Sequence, residues 1–579
     1  MYTKAYYVVY LLIGIAGFLC RNNLRQDKRA IFSKPERSNV ISALIFSFMI
    51  TIANYDIPSN AIDAIASTLN QSSQVDNMRG NLSAISLFYS CIIMPLLFLG
   101  GIYIFYYILS FITHRVAFYN LKTYTGKKDP LRIFLCLFLL ISLVYCLIMI
   151  LCYFPGISSG DSRRQLEQAL NGNYSGNHPL YHTLLIKFFV LLGKGLFGSL
   201  NAGVAMYSIF SIMLIAAAFA FASVTIYQMN ISKKIVFCLT MFYLMLPFNI
   251  TYSFTMWKDI PFTASVLFFT VSVFRFLQKV GEKQILNKII SLTSGIGICL
   301  FRNNGLLAFA VTLLIMWLWF RKEHRKMCIS LVYVFIVSLL LQYPLKSAIE
   351  VEPMWAIEPL SIPFQQMART VVDNDDLSKE QLQLLSELFD VENVKEIYEP
   401  YIFDPIKMNI IHHGGQDYYL EHKAEYFKLY FQLGLSHPKS YLAAWIDQTK
   451  GYWNAGYTYW RFTFTSSTDE IGTRRVVLCK PLQKAVYSYI KLFEYTDILK
   501  PFISIGLHTW LMILVAFVGY RKKDKSKIFL AVPSLSIVFF LLLGTPVFAE
   551  FRYAYPLFCC LPFAALALIA GKPSETENK

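Results

Sequence analysis

The chain predicts an all-α polytopic membrane protein: about thirteen transmembrane helices, interfacial helices, and a small helical extracytoplasmic domain. Three observations carry that reading. Of 579 residues, 56% are hydrophobic and 15% charged, where a soluble chain would carry about a quarter charged residues, and mean hydropathy is +0.46. Apolar runs of roughly 16 to 30 residues recur along the chain, each long enough to span hydrocarbon or nearly so. One long polar segment, 348–500, interrupts them.

The predicted crossings lie near 5–20, 39–55, 83–112, 133–153, 203–227, 235–252, 260–278, 286–301, 304–320, 327–347, 501–520, 527–547 and 554–571. Basic clusters fall at alternate ends of these runs: Arg21 to Arg37, Arg115 to Arg132, Lys233-Lys234, Lys279 to Lys288, Arg321 to Lys326, and Arg521 to Lys527. Because basic loops stay cytoplasmic, this pattern predicts a multi-pass plasma-membrane protein with its N-terminus outside and its C-terminus inside. The alternation requires that 180–197 does not cross. His182, Lys187 and Lys194 interrupt that stretch, as suits a helix lying in the interface. No cleavage site of small residues follows the first run, which therefore reads as a retained helix.

The chain thus divides into N-terminal helices (1–132), a membrane core (133–347) whose first external loop spans 154–202, an extracytoplasmic segment (348–500), and C-terminal helices with a cytoplasmic tail (501–579). Within the polar segment, Ser378-Lys-Glu-Gln381 forms a capping box ahead of Leu382, Leu384, Leu385 and Leu388 at helical spacing. Tyr441 to Tyr452 is a second, aromatic-rich helical stretch. The eleven cysteines lie almost all in apolar runs, and only Cys479 falls in the polar segment, so no disulfide framework is implied. No spacing suggests a structural metal site. The net charge of +17 sits largely in short loops, where orientation demands it, and so does not imply a nucleic-acid partner.

Charged residues in the short external turns are the candidates for chemistry. Phe154-Pro-Gly-Ile-Ser-Ser-Gly leads to Asp161, followed by Arg163 and Arg164; Asn177-His178-Pro179 comes later in the same loop. Asp161 reads either as the first-turn acid of an interfacial helix or as a general base. Asn177 reads as the N-cap of the next helix, with Pro179 in its first turn and His178 facing water or serving in proton transfer. Lys258-Asp259, Arg302-Asn303-Asn304 and Glu550-Phe551-Arg552 occupy three other turns. Taken singly, the cations read equally well as snorkelling side chains. Together they put an acid or a cation in almost every short external turn, at one depth. That set matches one chemistry: an acid that deprotonates a hydroxyl, and cations that hold a phosphate leaving group.

On these residues the pattern resembles the GT-C superfamily of membrane glycosyltransferases, which use lipid-phosphate sugars. The resemblance rests on an acid in the first external loop, interfacial helices ending near Leu196-Phe197-Gly198, a following crossing at 203–227, and a second acid, Asp259, two helices on. More closely, the chain is similar to an uncharacterised family of polytopic proteins from Gram-positive bacteria. That similarity runs through Phe154-Pro-Gly-Ile-Ser-Ser, Trp257-Lys-Asp-Ile-Pro-Phe, Pro363-Phe-Gln-Gln-Met-Ala-Arg369, Gly451-Tyr-Trp453, Arg302-Asn-Asn-Gly and Glu550-Phe-Arg-Tyr.

The broader resemblance implies an inverting transferase with a polyprenyl-phosphate-linked sugar donor and a cell-envelope glycan or lipid acceptor. Asp161 would be the base. Arg302, Arg552 and Lys258 would hold the lipid phosphate, with His178, Asn303, Glu550, Arg163 and Arg164 around them. Asp259 would either orient the acceptor or help hold a divalent metal ion. Trp445, Trp453, Tyr457 and Trp460 read as a sugar-stacking surface or as a packed aromatic core. The polar segment lies between late helices here, whereas many GT-C enzymes carry theirs after the last helix. The rival functions are a polysaccharide polymerase or ligase, a flippase of lipid-linked saccharides, and a membrane scaffold.

Overall fold

The computed structural model describes residues 5–25, 37–55, 88–116, 129–281, 284–374, 376–458, 460 and 472–570. Most of the first two basic clusters, part of the cluster at 279–288, the start of the run 83–112, residues 461–471 of the polar segment and the tail after 570 lie outside the described residues.

Hydrocarbon leaves backbone N–H and C=O groups no water to bond, so a spanning segment satisfies them internally as a helix. Among the described residues, strand-like pairing is confined to isolated bridges. In order come α1 (Ala5–Arg25), α2 (Arg37–Ala53), α3 (Met94–Phe111), α4 (Pro130–Cys152), α5 (Gly160–Asn171), α6 (Leu180–Phe197) and α7 (Leu200–Gln228). The core continues with α8 (Lys233–Met245), α9 (Pro247–Ser253), α10 (Asp259–Leu277), α11 (Gln284–Phe301), α12 (Gly305–Phe320) and α13 (Arg325–Ala348). The polar segment supplies α14 (Ser361–Asp373), α15 (Lys379–Leu388), α16 (Val394–Ile397), α17 (Asp404–His412), α18 (Gly415–Glu421), α19 (Lys423–Ser436), α20 (Pro438–Thr449) and α21 (Lys480–Tyr495). Then follow α22 (Ile505–Arg521), α23 (Lys525–Phe529), α24 (Val532–Gly544) and α25 (Tyr555–Ile569).

Among the described residues eight helices are long and apolar enough to cross a membrane, or up to ten if two bent pairs each count as one span. This is an all-α, multi-pass membrane protein. Seven of the eight fall on predicted runs, and the eighth is α6, which the sequence assigns to the interface. Both ends of α6 are nevertheless tied to one end of the bundle. Beside its start, Tyr181 donates to the Leu341 carbonyl at 3.0 Å. Just past its finish, Asn201 exchanges hydrogen bonds with the backbone of Arg474, two residues from the Val476 bridge to Phe154.

α7 and α10 are apolar all round and sit at the centre, with Phe219, Val266, Phe269 and Val271 buried. α4 keeps Leu135, Leu139 and Leu143 exposed, as a helix facing lipid would. The polar segment has its own core, built around Phe364, Leu385, Leu388, Phe403 and Ile406. Its capping box forms as the sequence predicts: Gln381 N–H donates to Ser378 Oγ at 3.2 Å, and Ser378 N–H to Gln381 Oε1 at 3.0 Å.

This domain is stitched to the bundle end through Phe403 N–H to the Pro546 carbonyl (2.8 Å) and Phe548 N–H to the Tyr401 carbonyl (2.9 Å). The first helices reach the same end, where Tyr55 donates to Asp447 and Tyr10 to Asn454, both at 3.0 Å. At the opposite end Lys527 caps the last helix by donating to the carbonyls of Leu568 and Ala570.

Of the two readings open for the aromatic set, a sugar-stacking surface or a packed core, the structure shows the packed core. Trp453, Tyr457 and Trp460 are buried. Trp445 stacks on Trp453 with ring centroids 5.9 Å apart, and its indole donates to the Leu542 carbonyl at 2.9 Å. Trp445 thereby joins the domain to α24, and Trp460 packs against Phe248 and Phe551 of the bundle.

Candidate functional site

Two loops a hundred residues apart are zipped together at the domain end of the bundle. Ile157 N–H donates to the Phe254 carbonyl (3.0 Å), and Met256 N–H returns to the Ile157 carbonyl (2.8 Å). Gly156, at φ +130°, makes the approach possible. A Cβ there would stand 2.1 Å from Ser208 Oγ and 2.9 Å from the Phe254 carbonyl oxygen. The Trp257 indole then donates to Ser159 Oγ, and Ser159 N–H donates to Ser162 Oγ at 2.7 Å, opening α5. Asp161 therefore lies in the first turn of α5, with Lys258 Nζ 3.9 Å from its Oδ2.

A third segment completes the cluster. The short turn Phe551–Ala554 before α25 carries Arg552, whose guanidinium donates to Asp161 Oδ2 at 2.6 Å. Its Nε lies 3.4 Å from Glu550 Oε1, and its face covers the rings of Trp257 and Tyr553. Arg302 also stacks on the Tyr553 ring, at 4.3 Å, and forms an ion pair with Asp259 at 3.0 Å. No hydrogen-bond donor is aligned on either Asp259 oxygen, so that carboxylate is held by charge alone.

The electrostatics follow from this packing. Burial pushes Asp161 up, but Arg552 and then Lys258 outweigh it and hold the carboxyl well below its ordinary value. Burial raises Glu550 by more than Arg552 lowers it. Burial also lowers Lys258, against the pull of Asp161 and Asp259. Burial and then Lys258 push His178 down to about 4, so its ring is neutral near pH 7. Its Nδ1 is buried and has no hydrogen-bond partner among the described residues.

Asp161, His178, Lys258, Glu550, Arg552 and Arg164 all line one cavity of about 840 Å³, which the domain closes from the other side with Trp355, Glu358 and Lys407. Four predicted residues do not line it. Asp259 and Arg302 pair with each other, and Arg163 pairs with Glu167 along α5 at 3.1 Å. Asn303 donates to the Gly176 carbonyl at 3.1 Å and so steadies the His178 loop.

Asn177 is not the N-cap of α6. Pro179 takes that place, and Asn177 Oδ1 accepts from the Trp355 backbone N–H at 3.1 Å. The domain claims the amide that a free loop would have turned to the helix. Among the described residues no group of three His, Cys, Asp or Glu is disposed to hold a metal ion, and the Asp259 carboxylate has Arg302 as its partner. Sequence reasoning missed Trp257, Tyr553 and Trp355. The first two stand next to motif residues and were legible as neighbours, whereas Trp355 carried no signal.

The profile of a family of unknown function, DUF6020, matches residues 170–579. The chain belongs to that family. Its matched region holds His178, Lys258, Asp259, Arg302, Glu550 and Arg552, and Asp161 stands ahead of it. No curated protein and no solved structure matches the chain.

Proposed function

We propose that the protein is an inverting membrane glycosyltransferase of the GT-C kind, moving a sugar from a polyprenyl-phosphate donor to a cell-envelope acceptor at the outer face of the plasma membrane. The observation that carries this reading is the meeting of Asp161, Lys258 and Arg552 in one cavity at the end of an apolar helical bundle. In this reading thirteen segments cross, α6 lies in the interface, the N-terminus is outside and the C-terminus is cytoplasmic.

Asp161 takes the proton of an acceptor hydroxyl as that oxygen bonds to the anomeric carbon. The bond from the anomeric carbon to the phosphate oxygen breaks, and its electron pair leaves on the lipid phosphate. Arg552, Lys258 and Arg164 neutralise that phosphate. In the resting site Arg552 and Lys258 sit on the carboxylate and weaken it as a base. A donor phosphate that draws both cations towards itself frees Asp161 at the moment it is needed. His178, neutral and with an unengaged Nδ1, is a hydrogen-bonding partner for the phosphate or the acceptor. The Asp259–Arg302 pair supplies a fixed charge arrangement beside Tyr553 and touches neither substrate.

A lipid-linked donor is supported by an apolar groove of about 730 Å³ between α8, α22 and α25, lined by Phe242, Leu246, Phe248, Leu511 and Phe558. Phe248 packs on Phe551 with centroids 5.0 Å apart, and Phe551 stands between Glu550 and Arg552. A ring of the groove lining therefore packs on the residue that stands between two cavity-lining residues. The test is loss of the protein: a lipid-monophosphate sugar accumulates if the reading holds. Accumulation of a lipid-diphosphate oligosaccharide instead would favour a polymerase or ligase.

A further inference from the structure

The transferase reading leaves the acceptor unspecified, and the wall of the cavity formed by α5 and the start of the domain specifies it. That wall begins on α5. Asp161, Arg164, Gln168 and Asn171 recur every three or four residues and so share one helix face, running about 15 Å along the axis. The flank of α5 beside that face is fixed by a hydrogen-bond network: Gln165 bonds both Thr183 (2.9 Å) and His182 (3.0 Å), and His182 bonds Tyr207 (2.6 Å). The cavity face therefore has one roll angle.

Beyond α5 the chain turns through Asn173 and pairs with the start of the domain. Glu352 N–H donates to the Tyr174 carbonyl (2.9 Å), and Gly176 N–H donates to the Glu352 carbonyl (2.7 Å). A Cβ on Gly176 would stand 2.7 Å from the Met354 nitrogen, so only glycine fits. This ladder, with Asn177 on the Trp355 N–H and Gln416 on the Ala356 N–H, fixes Trp355 against the amide-bearing loop. The side-chain amides of Gln168, Asn171 and Asn173 and the Trp355 indole N–H make no hydrogen bond within the described protein. All four residues line the cavity.

Amides both donate and accept, as hydroxyl groups do, and an indole face suits the C–H face of a sugar ring. At the rim, Glu352, Glu358 and Asp404 are matched by Lys407, which lies 3.4 Å from Glu358 and 2.6 Å from Asp404. We propose that Gln168, Asn171, Asn173 and Trp355 form an acceptor subsite for a neutral glycan chain laid along α5, and that the acidic rim turns away anionic polymers. This inference rests on the transferase reading, and its test is a binding measurement that needs no transfer.

Purified full-length protein in nanodiscs is applied to an array of neutral and anionic oligosaccharides. Neutral oligosaccharides are expected to bind. Trp355→Ala, and separately the double change Gln168→Ala with Asn171→Ala, should weaken that binding at least about tenfold, the scale of a lost stacking ring or a pair of hydrogen bonds. Trp355→Phe should retain most of it, which separates lost stacking from misfolding. Glu352→Gln with Glu358→Gln should admit anionic chains. Binding of anionic chains alone, no glycan binding, or binding indifferent to Trp355 and the amides would overturn the subsite. Glycan binding as expected, without transfer from any polyprenyl-phosphate sugar, would leave the subsite standing and remove the transferase reading. Asp161-dependent transfer without glycan binding would do the reverse.

Discussion

Two acid–cation pairs share the Tyr553 ring, and they differ in what can reach them. In the pair facing the cavity, the Asp161 and Arg552 side chains keep 28% and 17% of their surface exposed. In the other pair, Asp259 and Arg302 keep 0% and 8%. An ion pair open to a cavity can exchange its partner for a charged ligand. A sealed one cannot, and serves to hold three chain segments in register. Residue type is the same in both, so burial alone divides the pair that a ligand can reach from the one that it cannot.

That division is easiest to break at the sealed pair. Arg302→Ala leaves Asp259 charged, buried and unpaired, a change worth about 3–5 kcal/mol of stability. Thermal unfolding in detergent should show a large fall, and an unchanged melting temperature would mean that the pair is not sealed. Arg552→Ala should do the opposite. Lys258 remains beside Asp161 and the pair opens to the cavity, so stability should fall by less than it does for Arg302→Ala. Donor affinity should drop by about 10- to 100-fold, the scale of one charge-assisted phosphate contact. Titration with the lipid-phosphate sugar measures it.

The pH dependence sharpens the same contrast. Asp161 is held below its ordinary value, so its pairing contributes stability that is fully present above about pH 4 and lost only as pH falls through the depressed value. Removing Arg552 takes away the largest lowering influence on Asp161. The acid limb of kcat/KM, which reports the free enzyme, should then move to higher pH. An acid limb that stays put would show that Arg552 does not govern this carboxylate. The smallest effect is expected at Asn303. Asn303→Ala removes one hydrogen bond to the His178 loop and should cost about 1 kcal/mol, read as a slight fall in melting temperature.

Much of this was legible in the chain itself. Hydropathy alone gives the membrane class, and the Ser378 capping box reads directly because it is local chemistry with a fixed three-residue spacing. The meeting of Asp161, Lys258 and Arg552 was also legible, since charges at the same ends of neighbouring helices must share one depth. What depends on the third dimension was not. The burial that keeps Arg302 out of the cavity has no signature in sequence, and Arg302 therefore read as equivalent to Arg552. Trp445, Trp453 and Trp460 read equally as a binding surface or a packed core, because aromatic richness looks the same in a platform and in a joint. Asn177 read as a cap because its domain partner, Trp355, lies 178 residues away.

The central claim is that the Asp161 carboxylate, open to the cavity, is the base. Purified protein supplied with a polyprenyl-phosphate sugar and an envelope glycan tests it most directly through Asp161→Asn, which preserves size and polarity. Transfer should fall by about 10²- to 10⁴-fold while the protein still inserts and melts as a folded membrane protein; transfer at the wild-type rate would contradict the account.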